Sequence, residues 1–187
     1  MRYTLIGILM LGLLLNVVPL EGKTYKGVTM EDKIDVEGNA LVLNGMALRK
    51  KLWVKVYVAG LYLPARETDG EKVLKADQPR RTVMHFVYDV SAKKINGAWI
   101  DGLEDNTPNH SPQLKQQFDT LCNYMEDVDD GQKLMFTYIP GKGTEVNVKG
   151  KVKGVIEGKA FADALWACWI GKKPGPGESF KEGLLGI

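Results

Sequence analysis

Between Leu41 and Pro64 the chain reads LVLNGMALRKKLWVKVYVAGLYLP, and this stretch constrains the fold more than any other. Its second half, Trp53 to Leu63, is apolar enough and long enough for one extended strand of a sheet. Alternation puts Val54, Val56, Val58, Gly60 and Tyr62 on one side, an apolar core face. Trp53, Lys55, Tyr57, Ala59, Leu61 and Leu63 fall on the other. A lysine and a phenol among apolar neighbours predict a half-wet cavity wall. Upstream, Gly45-Met46-Ala47-Leu48-Arg49 reads as a tight turn that fixes the direction of Arg49. A fixed guanidinium beside such a wall suits a hydrophobic molecule with an anionic end. The expected ligand-binding set is therefore Arg49, Tyr57, Lys55 and Trp53.

The rest of the composition narrows the setting. A chain of 187 residues, 44% hydrophobic and 26% charged, supports one domain with a substantial core. A net charge of +2, with lysines scattered among acids, gives no footprint for nucleic acid. At the amino terminus Arg2 precedes an apolar run from Leu5 to Leu15, continued by Val17, Val18 and Leu20. This is the pattern of a secretory signal, expected over residues 1–22, with the mature domain spanning 23–187 and exported to the periplasm or beyond. The uncharged run is also close to the length of a membrane anchor, so an uncleaved segment is the competing reading. Cys122 and Cys168 both sit in apolar helical patterns, as small buried hydrophobes do, and an oxidising compartment leaves a bridge between them open.

Taken in order, residues 23–40 give short extended pieces that add edge strands to the sheet. A second long strand is expected from Arg81 to Val90, with Thr82, Met84, Phe86 and Tyr88 on one face and Val83, His85 and Val87 on the other. Ser91 offers an N-cap to a helix with an Ile95, Trp99, Leu103 stripe, and Ser111-Pro112 opens another with Leu114, Phe118, Leu121, Cys122 and Met125. Strands over 133–139, 144–149 and 151–156 form a meander with glycine turns, before a helix over 158–170 and a last short one over 179–186. The sum is α+β, with helices covering one face of an antiparallel sheet.

Several words of the sequence resemble the bacterial branch of the chalcone isomerase-like family. They are LNGMALRKKLWVKVYVAGLYLP, Asp89-Val90-Ser91, Ala98-Trp99, the PGKGTEV meander, Phe161-Ala162-Asp163-Ala164-Leu165-Trp166, Trp169-Ile170-Gly171 and Leu184-Leu185-Gly186. The resemblance implies that family's fold, a large curved antiparallel sheet with helices layered on one side. It also implies a comparison with the plant isomerases, whose guanidinium follows a Gly-x-Gly-x-Arg turn. Here Arg49 is retained and the middle glycine is Ala47; the plant threonine falls on Tyr57, and the plant tyrosine has no counterpart between Ser91 and Trp99. That pattern implies the cavity without the enzyme, and non-catalytic members of the fold bind fatty acids. The resulting expectation is an exported monomeric binding protein for a fatty acid-like ligand, with no catalytic residue, no metal and no cofactor. Two alternatives stand beside it: residual intramolecular lyase or isomerase chemistry, and haem binding with His85 or Tyr57 as axial ligand. Gly141-Lys142-Gly143 lacks phosphate-loop spacing, Asp127 to Asp130 lacks calcium-loop spacing, and His110 has no partner pattern.

Overall fold

The computed structural model describes residues 21–187. The expected signal segment falls outside the described residues except for its last two positions, and Gly22 already opens the first strand. A two-stranded hairpin, β1 (Gly22–Tyr25) and β2 (Val28–Glu31), comes first. Seven strands then form one antiparallel sheet in sequence order: β3 (Lys33–Val36), β4 (Asn39–Lys51), β5 (Val54–Leu63), β6 (Arg80–Phe86), β7 (Lys133–Ile139), β8 (Gly143–Val148) and β9 (Lys151–Ile156). Five helices complete the described residues: α1 (Gly70–Lys75), α2 (Ala92–Asn106), α3 (Pro112–Tyr124), α4 (Lys159–Ile170) and α5 (Glu178–Leu185). The α+β expectation holds, with every helix contributing to the core on one side of the sheet.

Two apolar clusters share the sheet between them. The larger, under the helices, takes Ala47, Tyr57, Ala59, Leu61 and Leu63 from β4 and β5, with the stripes of all five helices. Trp99, Trp169 and Phe136 meet edge to face at its centre, Trp99 to Trp169 at 5.3 Å and Trp99 to Phe136 at 5.5 Å. Such pairs add about 1 kcal/mol each beyond their buried area. Helix α4 is buried on nearly every side, since the sheet lies beneath it and its fellow helices flank it. The smaller cluster lies on the reverse face, where the β1–β2 hairpin lays Val28 and Met30 over Leu43, Met46, Val58 and Tyr62. Gly60 makes this seat possible, because a Cβ there would stand 2.3 Å from the Met30 sulfur.

Both faces of β5 are therefore core, and the half-wet wall predicted from alternation is corrected. Ala59, Leu61 and Leu63 have no exposure and Tyr57 has 8%, so the wall is dry. The predicted turn from Gly45 to Arg49 is corrected as well. Those residues lie inside β4, and the chain reverses later, at Leu52 and Trp53. The glycine is there for proximity rather than for turning. A Cβ at Gly45 would stand 2.2 Å from the Gly183 carbonyl oxygen of α5, and one at Gly183 would stand 3.0 Å from the Met46 oxygen. The two backbones touch, and Asn44, at an irregularity in the β4–β5 register, fastens them. Its amide donates to Leu184 O at 2.9 Å and to Glu67 O at 3.0 Å, while its oxygen accepts from Glu67 N at 2.8 Å.

Smaller departures have local causes. Strand β6 ends at Phe86 rather than Val90, leaving Tyr88 half exposed. Ser91 occupies the N-cap of α2 without a side-chain bond; Asp127 takes that place, accepting from Ala92 N at 2.8 Å. Ser111 does cap α3, accepting from Leu114 N at 3.1 Å. Cys122 and Cys168 are separate free thiols.

Replacing Gly45 by alanine should push α5 off β4. The expected cost is about 3 kcal/mol of unfolding free energy, read by urea denaturation, because backbone rather than a flexible side-chain end meets the new methyl group.

Candidate ligand site at Arg49 and Tyr57

Arg49 on β4 and Tyr57 on β5 stand directly opposite one another in the register, so their side chains share a face. That face is the one under the helices, which Tyr57 joins as part of the larger core. The phenol ring lies 5.5 Å from Phe86 and 5.7 Å, edge on, from Phe180 of α5. Burial pushes the Tyr57 hydroxyl up to about 12, against the opposing pull of a hydrogen bond with Trp169 and of the Arg49 charge. The hydroxyl is thus a neutral donor at any physiological pH. Burial also pushes the neighbouring Cys168 thiol up to about 12, which makes it inert rather than nucleophilic.

Arg49 is half buried, and its Nη1 donates to the Pro176 carbonyl oxygen at 2.9 Å. Among the described residues no carboxylate lies within ion-pair distance of it. The guanidinium therefore holds down the loop between α4 and α5 through one neutral acceptor and keeps its charge uncompensated. A carboxylate offered at the same place would form a stronger, charge-assisted bond than the peptide oxygen does.

The other expected site residues lie elsewhere. Trp53 is 85% exposed in the β4–β5 loop and Lys55 is exposed at the start of β5, so neither lines the interior beside Tyr57. His85 pairs with Val58 across β5 and β6, whereas Phe86 pairs with Tyr57, which places the histidine on the reverse face. A group resting on Tyr57 and Arg49 cannot also reach His85. Two clefts open in other parts of the surface. One of about 340 Å³ lies between the starts of α3 and α4, lined by Gln117, Glu157 and Phe161. The other, about 240 Å³, is on the reverse face beside Arg81, Glu37 and Lys142. Opposite Arg49 stands the Tyr57 ring, itself covered edge on by Phe180.

A second arginine, which the sequence pattern did not single out, is more deeply placed. Arg80 at the start of β6 is wholly buried, with its guanidinium 4.9 Å from the Trp166 ring and 5.1 Å from the Tyr138 ring. Its Nη1 donates to Val73 O at 2.9 Å and its Nη2 to Asp163 Oδ1 at 2.6 Å, while Lys159 holds the other Asp163 oxygen at 2.5 Å. Burial lowers the Arg80 pKa and Asp163 opposes that fall. This pair is a knot joining α1, α4 and the sheet, and its charge is already matched. Its signal was the aspartate inside the otherwise apolar Phe161-Ala162-Asp163-Ala164-Leu165-Trp166 run.

Comparison with known proteins is consistent with this architecture. The family described as chalcone isomerase-like matches residues 22–186. A crystal structure of a fatty-acid binding protein from Arabidopsis thaliana superposes with a TM-score of 0.68 at 17% identity, covering 88% of this chain and 96% of that one. No curated protein matches the sequence.

Two outcomes follow from the geometry. Asp163→Ala leaves a buried guanidinium without its carboxylate and should cost about 3 to 5 kcal/mol in denaturant unfolding, whereas Lys159→Ala, at a half-exposed pair, should cost under about 1 kcal/mol. Tyr57 has a folded pKa raised above its ordinary 10.0, so its contribution is complete below pH 10 and is lost as the pH climbs towards 12. Between pH 9 and 11.5 the wild type should lose about 2 kcal/mol more stability than Tyr57→Phe.

Proposed function

The chain belongs to the chalcone isomerase-like family, and from that premise we propose that it is an exported, non-catalytic binding protein for a fatty acid-like ligand. One observation carries the reading. Arg49 is a half-buried cation whose hydrogen-bond partner among the described residues is one neutral carbonyl, and it is set opposite a buried neutral phenol at the margin of the main core. An acidic head accepts from both, displacing the Pro176 oxygen, and an alkyl tail runs inward along Phe86 and the helices. The Arabidopsis protein of the same fold, described as binding fatty acid, supports this ligand class.

Occupation requires the chain to make room, and its fastenings indicate where. Helix α5 is clamped at its carboxyl end by Gly183, Leu184 and Asn44. At its amino end, Gly177 caps it without a side-chain bond, with φ at +100°. Phe180 and the loop around Pro176 are on that lighter end. In this reading a ligand lifts the loop and turns Phe180 aside, while the clamped end stays on β4.

The same geometry supports the non-catalytic reading. The ring at Tyr57 fills space against Phe86 and Phe180 where the plant enzymes, by the resemblance, have a threonine and a substrate. Each missing oxyanion donor costs about two to three powers of ten in rate, so the loss of both plant groups leaves negligible closure of a chalcone. Export is part of the proposal, with residues 1–22 as the signal and the mature chain starting near Lys23.

Native mass spectrometry of protein purified without detergent should detect a bound acid of fatty-acid mass, and the chain mass locates the mature start. Arg49→Ala should weaken binding of a medium-chain fatty acid about 10- to 100-fold, the usual worth of a hydrogen bond to a charged group. Unchanged affinity in that variant, with no co-purified acid in the wild type, would remove the proposal.

A further inference from the structure

The β4–β5 hairpin reaches beyond the rest of the sheet and ends in a loop that no internal packing explains. Lys51 pairs with Val54, leaving Leu52 and Trp53 as its two loop residues. They are 79% and 85% exposed. Leu52 has φ at +56°, the left-handed region, where a branched apolar residue is strained and where asparagine or glycine is at ease. Lys50, Lys51 and Lys55 surround the pair, all exposed. Among the described residues none of the three lysines has a carboxylate within ion-pair distance, and the sequence holds no acid between Glu37 and Glu67.

A loop that accepts backbone strain in order to present leucine and tryptophan to water is stabilised only when something covers them. Charge complementarity sets the sign of the partner: three uncompensated lysines call for an anionic surface. Size decides its class. Two side chains fall far short of the roughly 1,200 Å² of contact a specific protein interface needs, whereas a bilayer is held by a few apolar anchors and cations. Tryptophan and lysine also suit the two depths of a lipid interface, the indole at the headgroup–acyl boundary and the ammonium among the phosphates. Tyr88 adds a further exposed aromatic at this end, since its neighbour Val87 donates its backbone N–H to Val56 O at 3.0 Å. Nearby acids, with Asp89 and Asp127 exposed, are engaged by other groups. Asp89 accepts from Asp130 N, Asp127 from Ala92 N, and Glu126 is held by Lys149 and Lys153. Asp129 and Asp130 are exposed, but they lie on the approach to β7, with β6 between them and the hairpin.

We propose that this tip docks on an anionic lipid surface, with Leu52 and Trp53 entering the headgroup–acyl boundary and Lys50, Lys51 and Lys55 lying on the phosphates. The proposal does not depend on a bound fatty acid. It would place the mouth at Arg49, three residues from Leu52 in the chain, beside the bilayer.

Trp53 supplies its own readout, because Trp99, Trp166 and Trp169 are at most 3% exposed. With vesicles of phosphatidylcholine and phosphatidylglycerol at about three to one, its emission should move to shorter wavelength, and brominated acyl chains should quench it; phosphatidylcholine alone should do neither at equal lipid. The double variant Leu52→Asn, Trp53→Gly suits the turn and should keep the fold while losing tip-dependent sedimentation with the anionic vesicles. Exchanging the three lysines for glutamine should weaken vesicle binding roughly fivefold for each charge removed. Unchanged Trp53 emission on anionic vesicles would overturn the proposal. So would wild-type sedimentation of the double variant, or tip-dependent self-association without vesicle binding, which would mark a protein partner instead.

Discussion

The contact between the backbones of β4 and α5 is the constraint on which the site depends. Gly45 and Gly183 let the two elements approach to a distance no side chain permits, and the Asn44 amide converts that proximity into a fixed registration. Buried amides must find partners, and Asn44 finds three, each a main-chain group that would otherwise lack one. With the carboxyl end of α5 so held, Phe180 is delivered onto Tyr57 and the preceding loop onto Arg49. The core is closed at that corner by a helix anchored firmly at one end and lightly at the other.

The two arginines show how environment divides one residue type between roles. Arg80 has a carboxylate, a carbonyl and two aromatic faces around it, and its charge is spent on holding α1 and α4 to the sheet. Arg49 faces a carbonyl and a phenol that keeps its proton. A buried cation with a matched anion is architecture; a half-buried one with no carboxylate beside it among the described residues retains capacity for an anion from outside.

Much of this was legible from residue order. The strands, the three long helices and their buried stripes follow from periodicity, caps and glycine turns, which are local properties, while the family resemblance rests on particular sequence words. Arg49 and Tyr57 were also legible as a pair, though the route was partly mistaken. Gly45 was read as a turn residue, since a glycine advertises both bending and close approach and sequence does not separate them. Trp53 and Lys55 were assigned to the same wall as Tyr57 by alternation, but alternation describes faces and not how far along a strand the covering layer extends. At the loop the cover has ended and the face is open to water. Arg80 was missed because its partner Asp163 lies 83 residues later, a distance at which only the fold can report a pairing. The reverse face of β5 is core, as its apolar alternation indicates, but nothing in β5 itself reveals that the β1–β2 hairpin is what covers it.

In the proposed complex Arg49 receives the acidic head of a lipid in place of the Pro176 oxygen. A crystal structure of the protein grown with a medium-chain fatty acid tests it most directly. A carboxylate is expected within hydrogen-bond distance of the Arg49 guanidinium and of the Tyr57 hydroxyl, with Phe180 turned away and Leu184 still bonded to Asn44. An acid seated in either surface cleft instead, with Arg49 still on Pro176 and the Phe180 ring still against Tyr57, would contradict it.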